Sequence, residues 1–237
     1  MRKKTPSKLT RARIQSNDAL SGSYGDSELV IGLVGAVGTE QKQIVDIITD
    51  RLKTAFGYHT KLVHVSKDVI TQIYKPSQEH DSEYDRVQEL MELGNKARET
   101  SKDHSILALG AAAEIYRMRE IDEMTSSGIP NPRTAYIINS LKHPNEVEAL
   151  REIYSSGFYL IGIHSDENKR LSYLMNTKLL TKEQAEKLIQ RDMNEVDGHG
   201  QHTRDAFEMA DFFVDLDHHE RARNSIWRIL DLIFGHY

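Results

Sequence analysis

"ELVIGLVGAVGTEQKQIVDIITDRL", Glu28 to Leu52, passes from a short apolar segment through three glycines into a helix-patterned stretch. Leu29 to Val34 has the length and character of a buried strand, and beyond Thr39 the residues Ile44, Ile47, Ile48, Leu52 and Ala55 recur at helical spacing. Between them, Gly32, Gly35 and Gly38 let the backbone curl its N–H groups toward an anion, and the helix N-terminus adds partial positive charge. Strand, glycine loop and helix are the context a phosphate cradle requires. The usual lysine is missing. Against the pattern G-x-x-x-x-G-K-[ST], Leu33 stands at the first glycine, Thr39 at the lysine and Glu40 at the magnesium-binding hydroxyl. The dinucleotide fingerprint is not met either. Because that lysine follows the terminal phosphates during transfer, Gly35, Ala36, Val37, Gly38, Thr39 and Glu40 read as a binding cradle rather than an efficient transfer site. Glu40 would repel a polyphosphate unless it met a metal ion or a ribose. A plain glycine-rich turn is the competing reading.

Working outward, "HTKLVHVSKD" supplies a second strand through Leu62, Val63 and Val65, after Gly57 as a helix terminator. The long segment from Asp81 to Gly128 is mostly helical, with a break near Ser101 to His104. "SSGIPNPR" is a loop, "TAYIINS" a buried strand, and "HPNEVEALREIYSS" a helix with Pro144 in its first turn. "GFYLIGIHS" is a further strand, and Thr181 with Gln184 forms a capping box opening another helix. A polar "DGHGQHTR" loop, a short strand in "DFFVDL" and a closing helix complete the order. Continuous apolar strands alternating with helices indicate a parallel sheet of about five strands, covered on both faces. The expected class is three-layer α/β.

With 237 residues and 38% of them hydrophobic, the chain has material for one sizeable core. There is no cysteine, which excludes disulfides, thiolate zinc sites and cysteine nucleophiles. A net charge of -5 argues against a general nucleic-acid binder and for a small partner. No run reaches the roughly 18 to 20 apolar residues of a membrane span, and the basic start lacks the apolar core of a secretory signal. The expectation is a cytoplasmic protein with no membrane partner, in which residues 1–26 form a disordered basic arm and 27–237 the folded domain.

Further candidates lie downstream. In "NSLKHP", Lys142 and His143 follow a strand at its C-terminal end, where ligands of open α/β sheets lie. They could contact phosphate, or form a polar strand-to-helix turn. No Asp ends that strand. Arg191 and Arg204 flank a Gly- and His-containing loop as lid arginines would, or sit on an ordinary exposed helix. His199, His202, His218 and His219 invite a zinc reading, yet nothing resembles H-E-x-x-H, and no metal site is expected. His164, Asp166 and Glu167 could meet a base or ribose, although helix capping by Ser165 or Asp166 explains them as well.

Together "ELVIGLVGAVGTE", "ELMELGNKAR", "YIINSLKHPNEVEALREIY", "GFYLIGIHS" and "GQHTRDAFEMADFFVD" resemble the N-terminal kinase-like domain of the bacterial anti-phage deoxycytidylate deaminases. The resemblance spans roughly residues 28 to 237. It implies a P-loop domain similar to deoxynucleoside monophosphate kinases, which in that family precedes a zinc deaminase domain. Zinc deaminases need H-x-E and P-C-x-x-C motifs, so a chain without cysteine resembles only the regulatory half. The resemblance then implies a nucleotide sensor for antiviral defence, with ATP or a deoxynucleotide as ligand, magnesium as its companion and no zinc in this chain. It also implies a deaminase domain or subunit as partner, and it brings a small inhibitory RNA into view; the arm and Lys142 are the visible basic features for RNA. Gly35, Gly38 and Thr39 carry over as the phosphate loop. Two other readings stand beside this one. In an active nucleotide kinase, Arg191 or Arg204 would replace the lysine charge while Glu40 or Asp192 positions magnesium. In an assembly module, the apolar last helix with Trp227 and Ile233 would join copies into a homo-oligomer.

Overall fold

Residues 27–76, 80–121, 130–194 and 202–235 are described in the computed structural model. The arm expected at 1–26 lies outside them, as do parts of the "SSGIPNPR" and "DGHGQHTR" loops. The strands are β1 (Leu29–Val34), β2 (His59–His64), β3 (Thr134–Leu141), β4 (Phe158–His164) and β5 (Phe212–Asp215). All pair in parallel, in the order β2-β3-β1-β4-β5, so the strand that feeds the glycine loop is the central one. The helices are α1 (Gln41–Phe56), α2 (Glu83–Ser101), α3 (Ile106–Ile121), α4 (Pro144–Tyr154), α5 (Glu167–Asn176), α6 (Lys182–Asn194), α7 (Thr203–Glu208) and α8 (His219–Ile233). This is the expected three-layer α/β architecture, a five-stranded parallel sheet with helices on both faces.

Alternation along β1 explains the two layers. Val30 and Val34 join Tyr136 and Ile138 in a core that takes Ala97 of α2, Ala108 and Ile115 of α3, and Val147 of α4. Leu29, Ile31 and Leu33 face the other way, onto Ile44 and Ile48 of α1 and Ile226 and Leu230 of α8. A central parallel strand must be apolar on both faces because both are covered. Ala222, Ile226, Ile229, Leu230 and Ile233 of the last helix are thus used inside the chain, and Trp227 is flanked by the guanidinium groups of Arg51 and Arg223 at 4.8 and 5.4 Å from its ring.

Local signals in the sequence explain most boundaries. Gly57 ends α1 in the left-handed region at φ 67°. Pro144 opens α4, whose N-cap is His143 with Glu146 completing a capping box. Thr181 N–H reaches Gln184 Oε1 at 3.0 Å, and Gln184 N–H reaches Thr181 Oγ1 at 3.2 Å. Asp166 accepts from Asn168 N–H at 2.9 Å, so capping is the role of the "HSDEN" segment. One boundary differs from expectation. Val65 is not in β2 but opens a π-helical segment, Val65–Ile70, that runs into a turn at Thr71–Ile73. Asp68 reaches back to accept from His64 N–H at 2.7 Å and closes the strand. Val69 then seats on Gly110 of α3, where a Cβ would lie 2.3 Å from its Cγ1.

A third, smaller cluster matters for the site. Leu174 of α5, with Leu180, Ala185, Leu188 and Ile189, packs on Met91 of α2 and takes in Val37 from the glycine loop. The α5–α6 hairpin therefore lies against the loop. No helix among the described residues is long and apolar enough to cross a membrane.

Candidate functional site

Residues 35–40 leave β1 and curl before α1. Thr39 N–H closes on Ala36 O at 3.1 Å, and Gln41 N–H on Thr39 O at 2.8 Å. Gly38 sits at φ +85°, where an added Cβ would lie 2.9 Å from Arg170 Cβ and 3.0 Å from Arg170 O. Glycine is demanded there twice, by backbone and by space. Arg170, buried on α5, fixes the turn from outside by donating to Val37 O at 3.0 Å. Glu40 is the N-cap of α1 but offers no side-chain cap; its carboxylate instead accepts from the Gln43 amide. The N-terminus of α1 is left without a side-chain cap, as an anion site needs.

Lys142 stands immediately beyond β3, and its Nζ lies 3.0 Å from Gly35 O and 3.1 Å from Asp192 Oδ1. The charge absent from the loop's own lysine position is thus delivered to the loop by the neighbouring strand. Asp192 of α6, with its side chain only 2% exposed, places Oδ2 2.8 Å from Val37 N–H, while its Oδ1 also accepts from Thr203 Oγ1 at 3.2 Å. Lys142 is itself held by backbone: Glu146 accepts from the N–H of Lys142 at 2.8 Å and of His143 at 3.2 Å. The other oxygen of Glu146 takes Arg98 Nη2 at 2.7 Å, both side chains being 1% exposed. A buried chain of charge therefore runs from α2 through α4 to the loop.

The other expected residues fall elsewhere. His143 turns away from the loop, caps α4, stacks on His104 at 4.7 Å and meets His202 edge-on at 5.1 Å. Burial, and then the Arg98 charge and the neighbouring imidazoles, lower its pKa to about 4. A ring neutral at pH 7 and outside the cavity lacks the charge expected of a phosphate contact. Arg191 is held on α2 by Gln88 Oε1 at 2.5 Å and Glu92 Oε1 at 3.5 Å. Arg204 is exposed, its side chain 90% accessible, and pairs with Glu208 at 3.4 Å. The structure brings neither arginine to the loop. His199 lies outside the described residues, and His218 is the N-cap of α8.

Beside the loop opens a cavity of about 710 Å³, bounded by the loop, the ends of β2 and β3, α2 and α5. Its charged lining holds Lys42, Arg86, Arg98, Lys142 and Lys178 with Asp46 and Glu83, while Glu146 and Asp192 behind it pair with Arg98 and Lys142. Leu62, Val87, Leu90 and Met91 give it an apolar wall. Four buried polar atoms on its lining, Thr39 Oγ1, Gln41 Oε1, Asn139 Oδ1 and Arg98 Nε, have no hydrogen-bond partner among the described residues. Size, mixed polarity and unpaired polar atoms suit a phosphorylated small molecule of nucleotide dimensions. A resident magnesium ion fits less well, since it favours carboxylate and water oxygens. Of the carboxylates at the loop, Asp192 is engaged by Val37 and Lys142 and Glu40 by Gln43, and the last residues of β3, Asn139, Ser140 and Leu141, include no carboxylate. Thr39 Oγ1, Gln41 Oε1 and Asn139 Oδ1 remain there as neutral oxygens. Among the described residues no group of three or more His, Asp or Glu is placed to hold a metal ion.

Arg98, Arg170, Gln41 and Asn139 are site residues that sequence patterning does not single out. Arg98 lies inside the "ELMELGNKAR" segment, so the family resemblance touches it; Arg170 has no local signal, because its partner Val37 is 133 residues away.

No protein-family model matches the chain, and no curated protein matches it. Solved structures do. TT1252 from Thermus thermophilus has 7% identity and a TM-score of 0.50, with 86% of this chain and 96% of that one covered. Shikimate kinase from Bacteroides thetaiotaomicron has 9% identity and a TM-score of 0.48, over 86% and 98%. Shikimate kinase from Acinetobacter baumannii in complex with shikimate has 14% identity and a TM-score of 0.47, over 91% and 97%. At such identities the likeness is one of fold alone.

Proposed function

We infer that the chain is a nucleotide-binding regulatory module of a deoxycytidylate deaminase system, which holds a deoxynucleotide through the glycine loop without transferring its phosphoryl group. The observation that carries this reading is a glycine loop with Lys142 at its Gly35 O beside the cavity but with threonine where the loop's own lysine would stand. Gly35 and Gly38 keep the curled backbone that accepts an anion, whereas the loop's own lysine and a strand-end carboxylate, which serve transfer, are replaced by Thr39 and Asn139. Binding needs fewer parts than transfer. The link to a deaminase is supported by the sequence segments quoted above, and because the chain has no cysteine this reading leaves the zinc chemistry to a separate domain or subunit.

A thermal-shift panel of deoxynucleoside mono- and triphosphates tests this reading, with Lys142→Met as control. A ligand at 100 times its Kd adds about 2.7 kcal/mol, or about 5 to 11 °C for a domain of this size. A shift selective for one nucleotide and lost in the control is expected; no shift with any nucleotide overturns the reading. Lys142 equally favours a second reading, phosphoryl transfer to an acceptor in the cavity. Magnesium-dependent ADP release from ATP in the presence of a nucleoside monophosphate would establish that reading instead.

A further inference from the structure

Phosphate loops present several backbone N–H groups to one anion, and here an anion is already present within the chain. The N–H groups of Thr39 and Gln41 are closed by turns, whereas that of Val37 is directed at the Asp192 carboxylate. The same carboxylate takes the Lys142 ammonium, so the two donors best placed for a phosphate are satisfied by α6. Thr203 braces it from α7. Packing joins the same parts, since Val37 is seated among Leu174, Leu180 and Leu188 of the α5–α6 region.

We propose that Asp192 is an internal competitor for the loop: a bound phosphate takes the Val37 N–H and the Lys142 ammonium from it, releasing α6, so that the α5–α6 hairpin reports whether the site is filled. The inference rests on the loop being an anion site and adds how its occupancy leaves the site. A phosphate carries more charge than a carboxylate and can use further loop N–H groups, so it outcompetes Asp192 while a neutral ligand does not. When Asp192 is displaced, α6 loses its polar ties to Val37 and Lys142 and keeps, at this end, the bonds of Arg191 to α2.

Titrating inorganic pyrophosphate into the full chain without magnesium, by calorimetry, tests the competition directly. Asp192→Asn keeps an acceptor for Val37 and removes the charge that opposes the ligand; it should bind pyrophosphate at least tenfold more tightly than wild type, about 1.4 kcal/mol. Thr203→Val removes only the brace and should tighten binding a few-fold, which keeps the test open if Asp192→Asn does not fold. Amide exchange in residues 182–194 of the wild-type chain should rise when pyrophosphate is added. Unchanged or weaker binding by the variants, or exchange in α6 that ignores pyrophosphate, overturns the proposal while leaving nucleotide binding intact. Weakening in Asp192→Asn that occurs only with magnesium would make Asp192 a metal ligand and also overturns it. Binding of pyrophosphate by neither wild type nor variants overturns the phosphate-loop reading itself.

Discussion

Gly38 and Gly57 both occupy left-handed backbone, at φ +85° and +67°, but for different reasons. Gly57 ends a helix in open surroundings, its nearest foreign atom being Arg133 Nη1 at 3.4 Å from an added Cβ. Gly38 is closed in by the backbone of Arg170. Gly57→Ala should therefore cost only the left-handed strain, about 1 kcal/mol. Gly38→Ala should cost more, about 2 to 3 kcal/mol, because α5 must also yield. Urea unfolding of both variants checks the difference; equal losses would mean that Arg170 does not define the loop. The glycines were legible from spacing alone, and Lys142 from its place at a strand end. The bracing by Arg170 and the contact of Asp192 with Val37 were not, because each joins the loop to a residue more than a hundred positions away. The basic residues flanking the glycine- and histidine-containing segment were legible as charge, yet charge does not say where a helix turns them: Arg191 meets α2 and Arg204 meets Glu208.

Helix α4 is where element-level signals and site chemistry meet. Its N-terminus was readable from Pro144, and the capping box is formed by His143 and Glu146. What patterning could not supply is that Glu146, buried completely, also neutralises Arg98 of α2 and fixes the backbone of Lys142. Removing one partner of a buried ion pair strands the other in a medium that solvates it poorly. Glu146→Ala should cost about 3 to 5 kcal/mol and loosen Lys142, weakening any anion at the loop. Adding Arg98→Met should recover part of that stability, since the stranded charge is gone, without restoring binding. A double-mutant cycle by denaturant unfolding measures the coupling; additive losses would deny the pair its role. The missed boundary at Val65 has a comparable cause. A β-branched residue after a strand reads as more strand, and only the reach of Asp68 to His64 N–H, with Val69 seated on Gly110, turns the chain into a π segment.

At the scale of the whole molecule, the apolar runs dictated a covered parallel sheet, and the order β2-β3-β1-β4-β5 puts the loop and Lys142 side by side at its C-terminal edge. Sequence could not foresee that the same edge gathers three imidazoles. His143, at the start of α4, is enclosed by His104 from the turn before α3 and by His202 at the start of α7, with Arg98 and Asp205 also acting on it. Its folded pKa of about 4 lies below the ordinary 6.5, chiefly because burial disfavours the charged ring. The unfolded chain therefore binds a proton that the folded chain refuses. Stability from this residue is fully present above pH 6.5, falls as pH drops from there toward 4, and changes no further below. By pH 5 the loss should be about 2 kcal/mol. His143→Asn keeps an N-cap acceptor while removing the titration. Its stability should vary less between pH 7 and 5 than that of wild type, by that same amount, in paired urea titrations. Parallel slopes for the two proteins would show that acid sensitivity enters elsewhere, and that the histidine cluster closing this edge of the sheet tolerates protonation.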